Sequence, residues 1–293
     1  MKDYLIRAID EERSIRVFIA TTTNMVEEAR RIHNTTPTAT AALGRTLTAS
    51  SIMGVMMKGD KDKLTLRFKG NGPIRTILSV ADSQGTVKGY IANPNVDLPL
   101  KANGKLDVGN AIGKDGQLTV IRDLGLKKPY VGQSSLVTGE IAEDLTNYFA
   151  TSEQQPSVVA LGVLIDRDIS VKASGGYIIQ VLPNISEEKL SRLEEIVKGV
   201  KPISTLIDNG LTPEDILEET LGEFEMEVKE KVDINLECDC SKEKIERALI
   251  SLGEKELTDI INEDGKAEIS CHFCNSKYNF NKEELEDLLN RAK

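Results

Sequence analysis

The sequence predicts an α+β fold, in which an N-terminal mixed sheet domain with flanking helices is followed by a helical linker and a small C-terminal domain with four cysteines. Up to residue 185, strand-like and helical segments alternate irregularly, without a regular β-α-β order. The composition then becomes acidic, and all the cysteines lie between residues 238 and 274. We therefore expect an N-terminal core domain at 1–185, an acidic helical linker at 186–232 and a C-terminal domain at 233–293.

The N-terminal domain is predicted to contain a large antiparallel sheet system. In the segment KLTLRFKG, apolar and polar residues alternate, which indicates a strand with one buried face. The predicted strands are SIRVFIATT, KLTLRFKG, PIRTILSVAD, TVKGYIAN, QLTVIRDL, SLVTGEI, SVVALGVLID and GYIIQVLP. The predicted helices are NMVEEARRIHN, TATAALGRTLTASSIMGVMMKGD and AEDLTNYFATSEQ.

The predicted linker combines short amphipathic helices with a large negative charge. From Ser186 to Leu236 there are fourteen Asp or Glu residues and six Lys or Arg residues. The segment LTPEDILEETLG has the features of a helix start, with Thr212 as the cap and Pro213 in the first turn. Like charges repel and short helices are marginal, so we expect this segment to depend on its neighbours for stability.

The C-terminal domain is predicted to hold two short helices, SKEKIERALISLG and EKELTDIIN, then a hairpin with a cysteine turn and a last helix capped by Asn281. Ser241 is the expected cap of the first of these helices. A unit of this size has little apolar surface to bury, so it needs an additional link to fold securely.

The cysteines supply that link. Cys238, Cys240, Cys271 and Cys274 form the pattern C-x-C-x30-C-x-x-C, in which two close pairs can supply four thiolates to one structural zinc ion per chain. Free buried thiols or a dithiol redox couple are the alternatives. His272 lies between two ligands and is interpreted as a surface residue or a neighbour of the site. Thiolates are also oxidisable, and each close pair allows a local disulfide, so oxidation is expected to eject zinc and unfold this domain.

The composition also argues against two classes of partner, membranes and nucleic acids. No apolar run is long enough to span a membrane and the N-terminus has no signal-peptide core, so a cytoplasmic protein without membrane contact is expected. The formal net charge of -10 and the absence of Trp argue against a nucleic acid partner.

No catalytic constellation is found, and we predict that the protein is not an enzyme. The segment KGNGPI lacks the ending of a phosphate-binding loop and is interpreted as a hairpin turn. Glu140, Glu143 and Asp144 are interpreted as surface carboxylates that stabilise the dipole at a helix start, and His33 as structural or exposed. Met53, Met56 and Met57 are interpreted as a helix end packed into the core, although Met also suits adaptable binding surfaces.

Several segments together resemble the 33-kilodalton heat shock protein family of redox-regulated holdase chaperones. These are CDCSK, CHFC, TATAALGRTLTAS, GEIAEDLTNYFATSEQQPS, GGYIIQVLP and GLTPEDILEE, and the match covers essentially the whole chain. The resemblance implies a reduced, zinc-bound, inactive form that acts without ATP once oxidised. It also implies disulfides joining Cys238 to Cys240 and Cys271 to Cys274, zinc release, linker unfolding, a homodimer, and the holding of unfolded client proteins.

We expect the linker's apolar residues to form the client-binding surface when the linker opens. They are Leu190, Leu193, Ile196, Val197, Ile203, Leu206, Ile207, Ile216, Leu217 and Leu221.

Two other functions remain open on the residues alone. One is a zinc-module protein that binds nucleic acid or a translation component, supported only by the basic segments KKPY and KLTLRFKG. The other is a thiol oxidoreductase, which zinc ligation disfavours.

Overall fold

The computed structural model describes residues 2–292 and divides the chain into two compact units, one up to Glu237 and one from Cys238 onward. The predicted α+β class is confirmed, with sheets and helices in both units. The residues of the predicted linker belong to the first unit by their contacts.

The strands are β1 Tyr4–Asp10, β2 Ile15–Thr21, β3 Lys63–Gly70, β4 Thr76–Asp82, β5 Thr86–Ile91, β6 Gly116–Asp123, β7 Tyr130–Ser135, β8 Ser157–Ile165, β9 Val171–Val181, β10 Met226–Asp233, β11 Asn235–Leu236, β12 Ala267–Ser270 and β13 Lys277–Phe280. The α-helices are α1 Thr23–His33, α2 Pro37–Val55, α3 Val108–Ile112, α4 Ile141–Thr151, α5 Glu187–Gly199, α6 Ile203–Asp208, α7 Pro213–Leu221, α8 Lys242–Leu252, α9 Glu254–Glu263 and α10 Lys282–Arg291.

Two sheets build the first unit. The five-stranded sheet has the order β10-β1-β2-β9-β8 and is antiparallel throughout. The six-stranded sheet has the order β11-β5-β4-β3-β6-β7, and its pairs are antiparallel except for the short parallel pair of β11 with β5. The expected antiparallel sheet system is therefore present, divided between two sheets.

Helix α2 is buried along nearly its whole length and contacts strands of both sheets. Its many small residues allow this close packing. At Gly44 an added Cβ would lie 2.5 Å from Val26 Cγ1, so only glycine fits there without movement. The hydroxyls of Thr46 and Thr48 donate to carbonyl oxygens one turn earlier, which satisfies these polar groups inside the core.

The three linker helices pack on the face of the five-stranded sheet that α2 does not cover. Helix α7 begins at the predicted cap Thr212 with a capping box, in which Thr212 and Asp215 exchange side-chain and backbone hydrogen bonds of 3.2 and 2.9 Å. The charged segment after it, expected as part of a helical linker, instead forms strand β10 along the edge of β1.

The second unit contains α8, α9, the β12–β13 hairpin and α10. Ser241 and Asn281 cap α8 and α10 as predicted. Its buried apolar cluster is small and consists of Leu249, Leu257, Ile261, Phe280, Leu285 and Leu288. So few core side chains leave this unit with little hydrophobic stabilisation of its own.

In the first unit, one predicted strand is wrong and one observed strand was missed. The segment SLVTGEI is not a strand, because β7 ends at Ser135 and the chain then turns into α4. The buried carboxylate of Asp144 stabilises that turn by accepting from the backbone N–H groups of Val137 and Thr138 at 2.7 and 3.1 Å. Strand β1 was not predicted, since Arg7 and Asp10 interrupt its apolar pattern.

Candidate metal centre

The two cysteine pairs lie at the ends of secondary-structure elements, where their side chains can converge. Cys238 and Cys240 follow β11 and precede α8, and Cys271 and Cys274 occupy the turn of the β12–β13 hairpin. That turn is tight, since the Cys271 N–H donates to Ser276 O at 2.9 Å and the Asn275 N–H donates to Cys271 O at 2.8 Å. The Cys271 and Cys274 pair is thus held by local backbone hydrogen bonds, and the Cys238 and Cys240 pair lies in the short segment between β11 and α8.

The four sulfur atoms all lie within 4.8 Å of one another. The Sγ atoms of Cys238 and Cys271 are 3.7 Å apart, and those of Cys240 and Cys274 are 3.3 Å apart. Tetrahedral zinc with Zn–S bonds of about 2.3 Å separates its sulfur ligands by about 3.8 Å. The donor set and its spacing therefore fit a structural zinc ion, with four thiolates closing the coordination sphere.

Two polar side chains next to the cluster were missed by sequence reasoning. Tyr278 donates its hydroxyl hydrogen to Cys240 Sγ over 3.1 Å, and Ser276 Oγ lies 3.2 Å from Cys274 Sγ. Groups that hydrogen-bond to metal ligands orient them and tune their charge. Their closeness to Cys274 in the sequence was the available signal, but only the hairpin register directs Tyr278 toward the other cysteine pair.

The local electrostatics shift the pKa values of Cys238, Cys240 and Cys274 in different directions. Burial raises the pKa of Cys238 and of Cys240. Burial acts in the same direction on Cys274, but hydrogen bonds with Ser276 and with the neighbouring cysteines outweigh it and lower the Cys274 pKa to about 6. The hydrogen bond to Cys240 and burial raise the pKa of Tyr278 to about 12, so its hydroxyl keeps the hydrogen it donates.

Glu140, at the start of α4, has structural partners. Glu140 forms ion pairs with Arg45, at 2.7 Å, and with Lys101. In the KGNGPI turn, an added Cβ at Gly70 would lie 2.1 Å from Ile112 O, so this glycine permits close backbone packing. The KGNGPI turn agrees with its interpretation, and Glu140 and Glu143 lie at the start of α4 as expected. The surface interpretation is wrong for Asp144, which is fully buried because its carboxylate accepts N–H groups of the preceding turn.

The apolar residues of the linker are gathered on one face of the five-stranded sheet. Seven of the ten predicted residues are buried there, namely Leu193, Ile203, Leu206, Ile207, Ile216, Leu217 and Leu221. Ile196 and Val197 are partly buried against the same cluster, while Leu190 is half-buried and lies outside it. The linker helices and the face of the sheet on which they pack therefore bury one continuous apolar surface between them.

Comparison with known proteins identifies the family. A family model described as Hsp33 protein matches residues 3–281. The 33 kDa chaperonin of Alkaliphilus oremlandii is 54% identical over 288 residues, covering 98% of this chain and 96% of that protein. The 33 kDa chaperonin of Clostridioides difficile is 52% identical over 289 residues, covering 99% of each. The crystal structure of the 33 kDa chaperonin of Thermotoga maritima is 42% identical, with a TM-score of 0.90 over 99% of both chains.

The fold and the site thus define an α+β chaperone with a candidate four-cysteine metal centre. The chain belongs to the Hsp33 family. Among the described residues, the helices are too short or too polar to traverse a bilayer.

Proposed function

We propose that the protein is a redox-regulated, ATP-independent holdase that prevents aggregation of unfolded proteins. The reduced, zinc-bound chain is inactive, and oxidation of Cys238, Cys240, Cys271 and Cys274 activates it. The observation that carries this proposal is the convergence of four oxidisable sulfur atoms in a unit with a small apolar core. Membership in a chaperone family supports the same conclusion.

The metal would act as the main stabiliser of the second unit. Bound zinc supplies four coordinate bonds between its two cysteine pairs, and binding of this kind contributes on the order of 10 kcal/mol to folding. The six-residue apolar cluster of this unit cannot replace so large a contribution. Loss of the thiolate ligands is therefore expected to unfold the second unit.

The cysteines themselves carry the proposed redox step. Hydrogen peroxide or hypochlorite takes two electrons from one thiolate and leaves a sulfenic acid, or its chloride equivalent. A second thiolate attacks that sulfur and displaces hydroxide or chloride, so each disulfide consumes one molecule of oxidant. We propose pairing of Cys238 with Cys240 and of Cys271 with Cys274, as the family resemblance implies.

Unfolding of the second unit would reach the linker through the chain itself. Strand β11 ends at Leu236, two residues before the first ligand, and β10 precedes it at the edge of the five-stranded sheet. Both strands are short or largely exposed, so they are the weakly held part of their sheets. Their release, followed by release of α5 to α7, would uncover the linker's apolar residues for client binding.

We further propose a functional division into residues 1–185, 186–232 and 233–293, a cytoplasmic location, and a homodimer in the oxidised state. Neither enzymatic turnover nor a nucleic acid or membrane partner is part of the proposed activity. The dimer would double the apolar surface offered to one client and so increase avidity.

The test measures the aggregation of a client protein and the release of zinc from the chain in the same samples. A chemically unfolded client protein is diluted, without ATP, into reduced zinc-loaded chain or into peroxide-treated chain at raised temperature, and light scattering is followed. We expect only the oxidised sample to suppress scattering, with release of about one zinc per chain. Peptide mapping should find the two proposed disulfides. A variant with Ser at all four cysteines lacks the metal ligands, so it should suppress scattering to the same extent before and after peroxide treatment; any further gain on oxidation would reveal oxidation elsewhere. Equal suppression by the reduced and oxidised unsubstituted chain would contradict the proposal.

A further inference from the structure

A cavity of about 380 Å³ opens on the first unit beside the C-terminal end of α2. Its apolar wall includes Met53, Met56, Met57 and Phe149. Met53 and Phe149 are buried, and the other two methionines are half-buried. The volume is in the range of small-molecule sites, and unbranched methionine side chains adapt to apolar bodies of different shapes.

Arg16 supplies the distinctive charge of this cavity. Its Nη2 donates to Gln180 Oε1 at 2.6 Å, and its Nε is buried without an acceptor. Between residues 2 and 292 its guanidinium forms no ion pair with a carboxylate, and its charge lies 5.5 Å from the centre of the Phe18 ring. Burial lowers the pKa of Arg16, and the nearby charge of Arg7 lowers it further. A partly desolvated cation of this kind favours an incoming anion.

The other charged groups on the wall are paired with each other, hydrogen-bonded or exposed to solvent. Glu153 pairs with Arg122 at 3.0 Å and accepts the hydroxyl hydrogen of Tyr148 at 2.5 Å. At the rim, Asp62 accepts the Gly59 N–H at 2.9 Å, and Lys58 is exposed to solvent. The lining thus carries three cations and two carboxylates, a net charge of one positive. Among the described residues, Arg16 is the only one of these three cations that is neither exposed nor paired with a carboxylate.

We propose that this cavity binds a small amphipathic carboxylate, with the carboxylate at Arg16 and an apolar chain or ring against Phe149 and the three methionines. A single uncompensated cation selects a single negative charge, and the methionine wall tolerates varied apolar bodies. Medium-chain fatty acids and aryl-alkanoic acids share this chemistry. The site is separate from the cysteine cluster and is independent of the redox proposal.

Binding can be measured on the full-length, reduced, zinc-loaded chain by methionine-methyl NMR. Decanoate and hydrocinnamate are the probes for the two ligand sources, and decanol is the neutral control. We expect saturable shifts at Met53, Met56 and Met57, with Met25 and Met226 unchanged as internal references. Decanol should bind about tenfold more weakly than decanoate, because it lacks the charge. Whichever of the two carboxylates binds more tightly shows whether the cavity prefers a linear alkyl chain or an aromatic ring.

Three variants test the role of the arginine. Arg16→Gln should weaken decanoate binding about tenfold, and Arg16→Lys should restore part of the affinity. Arg67→Gln removes a similar charge from β3, away from the cavity wall, and should have no effect. Unchanged decanoate affinity in Arg16→Gln, or equal binding of decanol and decanoate, would overturn the proposal. If Arg16→Gln does not fold, the comparison of the two ligands on the unsubstituted chain decides alone.

Discussion

Lys189 Nζ lies 2.7 Å from the fully buried carboxylate of Asp10 and joins the first linker helix to the end of strand β1. Asp10 also accepts from the Ser14 hydroxyl and from the N–H groups of Ser14 and Ile15. Burial alone would raise the pKa of Asp10, but the hydrogen bond from Lys189 and the three others lower it. The linker thus supplies the only cation that pairs with this carboxylate among the described residues.

Replacing Lys189 by Met should loosen helix α5 on the sheet. The Asp10 carboxylate would stay buried with fewer partners, at a cost of about 2 kcal/mol in the free energy of unfolding. Hydrogen exchange of α5 and denaturant unfolding measure the change. Lys198→Met, at an exposed position of the same helix, is the matched control and should alter neither. Equal protection of α5 in both variants would contradict this role for the ion pair.

The lowered pKa of Glu27 predicts how the free energy of unfolding falls in acid. Hydrogen bonding from Arg30, opposed by burial and helped by the Val171 N–H and by Arg31, lowers the pKa of Glu27 to about 2. A lowered pKa means that its stabilisation is complete above the usual value of 4.5 and is lost as the pH falls toward about 2. Glu27→Gln should cost about 2 kcal/mol at neutral pH, and this difference should shrink between these two pH values.

Unfolding free energies measured across that pH range check the prediction. The neighbouring residue Glu28 is exposed, so Glu28→Gln serves as the control and should produce no comparable slope. A difference between Glu27→Gln and the unsubstituted chain that stays constant down to pH 2 would show that the network around Glu27 does not set the acid response.

The candidate metal centre was predictable because its information is local. Two close cysteine pairs specify the candidate ligands, and the caps at Ser241 and Asn281 specify the flanking helices, from short segments alone. The contribution of Tyr278 was not predictable, because it depends on which hairpin residue faces the second cysteine pair. The residues of a candidate metal site are therefore readable from sequence, whereas the hydrogen bonds made to those residues depend on strand register.

Strand β10 shows where local patterns fail. Its sequence, MEVKEKVD, is charged and mostly exposed, so it carries no strong strand signal. It becomes a strand because β1 offers an unpaired edge, and the pairing runs from Tyr4 with Asp233 to Asp10 with Met226. Strand β10 forms because its backbone hydrogen-bonds to β1, which is more than 200 residues away in the sequence. A prediction from neighbouring residues cannot include that partner.

Tyr278→Phe should weaken zinc retention. The hydroxyl donates to Cys240 Sγ, and its loss removes a hydrogen bond that favours the charged thiolate ligand. We expect zinc transfer to a chromophoric chelator to become about tenfold faster, with the cysteine count unchanged. Tyr130→Phe, at an exposed position in the first unit, controls for the loss of a phenol. Identical release rates for the two variants would exclude a tuning role for Tyr278.

Ile216→Ala separates linker release from cysteine oxidation. Ile216 is fully buried between the linker helices and the sheet, and its truncation should destabilise that packing by about 3 kcal/mol. If exposure of the linker creates the client-binding surface, the reduced, zinc-loaded variant should suppress client aggregation partially without any oxidant. Val228→Ala, at a position 41% exposed on β10, removes apolar atoms without opening the cluster and should stay inactive until oxidised. Increased hydrogen exchange in α5 to α7 of Ile216→Ala without any gain in activity would place the client-binding surface elsewhere in the chain.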